Sequence, residues 1–270
     1  MEKTKVLFVS QEITPYLPET EMSKAGRYLP QGIQERGKEI RTFMPKFGSI
    51  NERRNQLHEV IRLSGMNLII DDTDRPLIIK VASIQSARMQ VYFIDNEDYF
   101  QRKFTLQDEN GEYFPDNDER AIFFARGVLE TVKKLRWAPD IVHCQGWFTS
   151  LVPLYLKNAY NEEPLFTDSK VVYSIYDDAF DKPLRKEFKN KLKIEGITAK
   201  DIKQIKDQAD YINLSKLAID NSDAIIQGSE EVNKELQEYI SQIKKPTLDY
   251  QSEENYIDAY SEFYDKLLTE

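Results

Sequence analysis

Cysteine occurs once in the 270 residues, at Cys144, and histidine twice, at His58 and His143. A lone thiol excludes an internal disulfide. Two histidines this far apart, with no cysteine or histidine at ligand spacing, argue against zinc, and no metal is expected. Long apolar runs are missing too: Lys3 and Lys5 lead only into Val6-Leu7-Phe8-Val9 before Ser10-Gln11-Glu12. That run is too short for a signal peptide or a membrane span, so the expectation is a reducing cytoplasm and no membrane partner. Basic residues are in deficit, 37 Lys and Arg against 46 Asp and Glu, for a net charge of −9. Neutralising a nucleic-acid backbone needs the opposite balance, which excludes that partner class. There is no internal repeat and no low-complexity tract.

Apolar material is ample, with 40% hydrophobic residues, 15 tyrosines and 14 phenylalanines. A chain of this length can bury one large core or two modest ones. Val6 to Val9 is an unbroken apolar run, as expected of a strand covered on both faces of a parallel sheet. Gln11 to Glu21, with Pro15 and Pro18, reads as a loop. A helix is expected from Ser23 to Arg36, stopped by Gly37, and a strand from Glu39 to Met44, closed by Pro45. Strand, loop, helix, glycine and strand make a βαβ unit. Short strands follow at Val60-Ile61-Arg62-Leu63, Leu68-Ile69-Ile70, Leu77 to Ile84 and Met89 to Ile94. They read as an antiparallel meander inserted between parallel strands, with Asp71-Asp72-Thr73-Asp74 as a solvated hairpin turn.

After a polar loop from Gln101 to Asp116, the spacing predicts a helix from Glu119 to Arg136, capped by Asn117 or Asp118. Ile141-Val142-His143 is the next strand. A helix at Leu151 to Leu156, a strand at Val171 to Ile175, a polar helix at Pro183 to Leu192 and a helix at Asp210 to Ser222 come next. Then follow a strand at Ala224 to Gln227 and a helix opened by Ser229 and running to Ile243. The segment 244–252, containing Pro246, is read as a linker. An amphipathic helix closes the chain, with Tyr256, Tyr260, Phe263, Tyr264 and Leu267 on one face.

In this order the segments resemble the N-terminal half of the retaining glycosyltransferase family that contains bacterial glycogen synthase and plant starch synthase. The resemblance rests on Val6 to Glu12 with Pro15; on Leu29-Pro30, Gly37, Pro45 and Phe47; and on Tyr92 to Asp95 with Tyr99-Phe100 and Arg102. It continues through Asp116 to Arg120, Pro139 to Trp147 with Tyr155-Leu156, Asn213 to Lys216, Ser222-Asp223-Ala224 and Ser229. It implies an α/β fold: a single Rossmann-like, doubly wound domain of the two-domain glycosyltransferase type, with an inserted antiparallel region and a C-terminal docking helix. The division expected is 1–243 for the domain, 244–252 for the linker and 253–270 for the helix packing back. It also implies glucosyl transfer from a nucleotide sugar, ADP-glucose, to an α-1,4-glucan, with no resident cofactor.

Against that pattern, the family's Lys-x-Gly-Gly phosphate loop falls on Pro18, Glu19, Thr20 and Glu21. Proline removes an N–H donor and glutamate repels an anion, so this is a degenerate phosphate loop. In the family's His-x-His-Asp-Trp motif, His143 and Trp147 are kept, while Gln145 and Gly146 replace the second His and the Asp. Tyr176 stands where the family has a sugar-contacting histidine. The 27 residues after Ile243 fall short of a second, donor-binding domain. The expectation is therefore little or no synthase activity by the isolated chain. No residue is singled out as catalytic. The cleft or ligand-binding candidates are Glu12, Asn117, His143, Gln145, Trp147, Tyr176 and Asp177. The expected partner is α-glucan, or a protein supplying a synthase or donor-binding domain; the alternative function is a non-catalytic glucan-, sugar- or protein-binding module. Plainer roles compete: a structural histidine at 143, a buried thiol at Cys144, helix capping by Asp116-x-Asp118 rather than metal binding, a charged surface helix start at Asp177, Asp178 and Asp181, and a packing face for the tyrosine stripe.

Overall fold

The computed structural model describes residues 3–269. β1 (Lys5–Ser10) is buried from Val6 onward, as a run without polar alternation requires when both sheet faces are covered. α1 (Glu21–Glu35) begins two residues before the expected Ser23. Thr20 is its cap: the Thr20 hydroxyl accepts from the Ser23 amide at 2.9 Å, and the Ser23 hydroxyl accepts from the Thr20 amide at 2.8 Å. This reciprocal pair satisfies two donors at the helix start. β2 (Glu39–Pro45) then pairs parallel with β1.

β3 (His58–Glu59), β4 (Met66–Ile70), β5 (Thr73–Ile84) and β6 (Met89–Asp95) follow. β4 and β5 turn through Asp71 and Asp72, at φ of 48° and 60°, in a two-residue hairpin. Val60-Ile61-Arg62-Leu63 is not the expected strand. His58 and Glu59 carry the pairing with β5, and the next residues turn, burying Leu63 and leaving Ile61 75% exposed. Along the chain the antiparallel strands are inserted between β2 and β6, as expected. β6 pairs parallel with β2 and β5 lies beyond it, so the insertion extends the sheet at its edge.

α2 (Glu97–Phe100) is a single turn capped by Asn96. α3 (Asn117–Leu135) starts two residues before the expected Glu119. Neither Asn117 nor Asp118 caps it; both lie buried inside it, and Asp116 at the cap position has its carboxylate held by Arg102 at 2.7 Å. β7 (Ile141–Gln145) pairs parallel with β1, Phe8 opposite His143. α4 (Leu151–Lys157) leads to β8 (Lys170–Ile175), parallel to β7. The stretch expected to be helical from Pro183 to Leu192 forms only α5 (Phe188–Lys191). Its Arg185 and Lys191 are drawn instead to Asp118 and Glu119 on α3, with contacts of 2.5 and 2.6 Å.

α6 (Tyr211–Asp220), capped by Asp210, precedes β9 (Ala224–Gln227), parallel to β8. α7 (Lys234–Gln242) is capped by Asn233 and does not open at Ser229, whose hydroxyl accepts from the Asp177 amide at 3.1 Å. The stretch read as linker carries β10 (Thr247–Leu248), parallel to β9. α8 (Tyr256–Thr269) lies against α1 where Gly32 permits a close approach, since a Cβ there would sit 2.4 Å from Ile257 Cγ2. Arg36 donates to Asp258 at 2.6 Å, and Lys38 to Ser261 at 2.9 Å. Among the described residues no helix is long and apolar enough to cross a membrane.

The strand order is β10-β9-β8-β7-β1-β2-β6-β5-β3, with β4 on β5. Winding reverses between β1 and β7. In a doubly wound sheet the loops leaving the strands part company at that point and open a crevice beyond the carboxyl ends.

Candidate functional site

That crevice is present as a cavity of about 650 Å³. Residues just past four strand ends line it: Gln11 and Glu12 after β1, Trp147 after β7, Tyr176 to Ala179 after β8, and Ser229 to Glu231 after β9. The start of α1 adds Thr20, Glu21 and Met22, and the loop before α3 adds Thr105 to Gln107 and Tyr113. The turn after β7 depends on glycine. Gly146 has φ +88°, and a Cβ there would lie 2.8 Å from Gln11 Oε1 and from Met22 Sδ. Backbone amides hold the walls, Phe148 N–H donating to Gln11 Oε1 at 3.0 Å and Trp147 N–H to Asp178 Oδ2 at 2.8 Å.

Six carboxylates, Glu12, Glu21, Asp177, Asp178, Glu230 and Glu231, line the cavity, and among the described residues no lysine, arginine or histidine does. Desolvation pushes the Asp178 carboxyl up to about 7, and the neighbouring charge of Glu12 acts in the same direction. Asp178 therefore changes charge near neutrality, and in its protonated form it can donate a hydrogen bond. Burial holds the Tyr176 phenol far above its usual range, so it stays neutral. At the mouth of α1, Thr20 Oγ1 donates to Glu12 Oε2 at 2.7 Å. The positive end of the helix thus already faces carboxylate oxygen, with Glu21 in its first turn. Chemically the cleft offers hydroxyl, amide and carboxylate partners to a neutral polyol and repels an anion.

Of the candidate residues, Glu12, Trp147, Tyr176 and Asp177 meet in this cleft, with Thr20 and Glu21 from the stretch expected to be a degenerate phosphate loop. Pro18 and Glu19 lie outside it; the Pro18 carbonyl accepts from the Ser23 hydroxyl at 2.9 Å. Gln145 lies buried beneath, accepting from the Ser10 hydroxyl at 2.7 Å. His143 is fully buried, with Nδ1 2.6 Å from the Tyr264 hydroxyl and Nε2 2.6 Å from Ser174 Oγ. Burial pushes His143 down to about 3, so it is an uncharged member of the core. Asn117 is held by the Leu106 carbonyl at 2.8 Å and by Arg120 at 2.5 Å. His143, Gln145 and Asn117 therefore do not line the cleft, because their polar atoms are spent inside the fold. Cys144 is buried with its thiol pushed up, an inert side chain. Tyr260 and Tyr264 of the stripe pack on His143, ring centroids 5.9 and 5.8 Å away.

Asp177 and Asp178 do not open a surface helix; they form the cleft wall. Sequence reading weighed Asp178 for the cleft but preferred a surface helix start there, and it left Glu230 and Glu231 out of the candidates. Their signal was position, since each lies within four residues of the carboxyl end of a parallel strand.

A doubly wound sheet with its crevice at the β1/β7 switch point is a Rossmann-like domain, an architecture that many activities share. The family model for the starch synthase catalytic domain matches residues 5–245, and the chain belongs to that family. It is 40% identical over 174 residues to a glycogen synthase of Chlorobium limicola, a match covering 64% of this chain and 36% of that protein. It is 38% identical over 202 residues to a glycogen synthase of Chlorobaculum tepidum, covering 71% and 41%. The chain thus spans well under half the length of these relatives. The catalytic domain of starch synthase IV from Arabidopsis thaliana, solved with ADP and acarbose, superposes with a TM-score of 0.67 at 17% identity, covering 83% of this chain and 45% of that one.

Proposed function

We propose that this chain is a glycogen-synthase-like module that has kept a cleft for neutral α-glucan and lost its hold on the nucleotide-sugar donor, so that alone it transfers little or no glucose. One observation carries the reading: among the described residues the cleft is lined by six carboxylates and by no cationic side chain. A diphosphate needs converging N–H groups and a lysine or arginine. Here the helix end where phosphate would sit is occupied by the Thr20 cap and its bond to Glu12. A neutral glucan is indifferent to net charge and can use the same oxygen atoms as hydrogen-bond acceptors. The compartment that suits the reading is the cytoplasm, where glucan is made and a single thiol stays reduced.

Isothermal titration calorimetry with maltoheptaose and with ADP-glucose tests it. The expected result is heat from maltoheptaose and none from ADP-glucose at millimolar concentration. Donor binding, or transfer of labelled glucose onto glycogen by this chain, overturns the loss of donor recognition. Binding of neither ligand overturns the glucan reading and favours a protein partner for the cleft.

A further inference from the structure

A second cavity, of about 490 Å³, lies across Tyr176 from the acidic cleft, bounded by α1, the segment between α7 and α8, and α8 itself. Five tyrosines line it. Tyr176 and Tyr260 are buried, Tyr250 and Tyr256 are half-buried, and Tyr28 stands at the lip, 46% exposed. The partition is built in: a Cβ at Gly228 would lie 2.7 Å from the hydroxyl end of the Tyr176 ring, so only glycine after β9 lets the ring press on the backbone there. Tyr176 thereby borders both cavities.

The chemistry of the lining narrows the occupant. Lys24 is ion-paired with Glu253 at the rim, which leaves Glu21 as the one lining carboxylate without that partner and argues against an anion. A wholly apolar ligand is a poor match for a lining that carries five phenols, the Gln251 amide and the Glu21 carboxylate. Ring faces carry negative quadrupole density and attract the weakly positive C–H face of a pyranose, while hydroxyls and amide serve its edge. The volume falls in the range usual for small-ligand sites and admits a short oligosaccharide.

We propose that this cavity is a second saccharide subsite, in which sugar rings stack on the tyrosines of α1, α8 and the segment between α7 and α8. It extends the neutral-glucan reading of the cleft and rests on that reading only for the choice of an α-1,4-linked sugar. Equilibrium dialysis of the full chain with radiolabelled maltotriose tests it, with folding of each variant checked by thermal melting. The expected count is two molecules per chain. Tyr28→Ala, at an exposed position, weakens one of the two sites about tenfold, equivalent to roughly 1.4 kcal/mol, and Tyr28→Phe restores it. Glu231→Trp, which fills the acidic cleft, removes the other. An unchanged count and affinity in Tyr28→Ala and Tyr256→Ala, with all binding lost in Glu231→Trp, overturns the second subsite and leaves the cleft reading intact. Binding lost in the tyrosine variants and unaltered by Glu231→Trp supports the subsite and overturns the cleft reading. No binding to the parent chain overturns both.

Discussion

The chain Tyr264–His143–Ser174 and the acidic cleft are two polar regions built on the same central strands, a few residues apart along β7 and β8. In the first, each ring nitrogen of His143 meets one hydroxyl at 2.6 Å, and no member is exposed to water. In the second, six carboxylates share a cavity that no cationic side chain among the described residues lines. The buried chain stabilises the fold because its donors and acceptors are matched. The cleft opposes the fold through like-charge repulsion and the desolvation of Asp178. Polar residues in one sheet thus have opposite signs of energetic effect, set by whether a partner is supplied from within.

The contrast predicts mutations of opposite sign. His143→Ala leaves a cavity and two orphan hydroxyls, and should destabilise by about 3 kcal/mol or more, while Tyr264→Phe, which orphans one nitrogen, should lose about 1 kcal/mol; denaturant melts measure both. A neutral melt for His143→Ala breaks the comparison. Asp178→Asn should do the reverse, raising the melting temperature by about 3–5 °C at pH 8 with no gain at pH 4.

The signs follow from proton binding. The Asp178 carboxyl, raised to about 7 in the fold, binds more protons there than in the unfolded chain between about pH 4 and 7, so stability falls as pH rises through that window. His143, lowered to about 3, binds fewer protons than its unfolded form below about pH 6.5, so its stability is present above that pH and lost on acidification. In the parent chain the two slopes oppose one another between about pH 4 and 6.5, and the two variants separate them. The smallest effect on stability belongs to Glu21→Lys with Glu230→Lys, exposed positions where a change within about 0.5 kcal/mol is expected. Their sharper readout is pyrophosphate binding by calorimetry, absent in the parent and measurable in the double variant. No binding there shows that charge alone does not define the cleft.

Most of the scaffold was legible because its strands are unbroken apolar runs between turn signals, as at Val6 to Val9 and Ile141 to His143. The acidic turn at Asp71 and Asp72 was legible for the same local reason. What escaped was decided by distant partners. The 183–192 stretch has helical composition, yet Arg185 and Lys191 reach α3, and tertiary ion pairs override local propensity. Ser229 looked like a cap, but its hydroxyl serves Asp177, and Asn233 is the cap. At the site, motif positions 143 and 145 drew attention although strand residues alternate between faces and depths. The residues that shape the cleft, Asp178, Glu230 and Glu231, sit just beyond the strands, and only the closed sheet shows them converging.

The Thr20 capping box has an evolutionary consequence. Rebuilding a glycine-rich loop at the start of α1 would first remove a cap that holds the helix, a loss of about 1 kcal/mol before any phosphate contact returned. It would also release the Glu12 oxygen that Thr20 now binds, leaving an anion where a phosphate must enter. Glycine, lysine and the replacement of Glu12 would have to arrive together. On the proposed loss of donor recognition, each step alone is unfavourable, so the cleft is ratcheted and single substitutions do not restore a phosphate site.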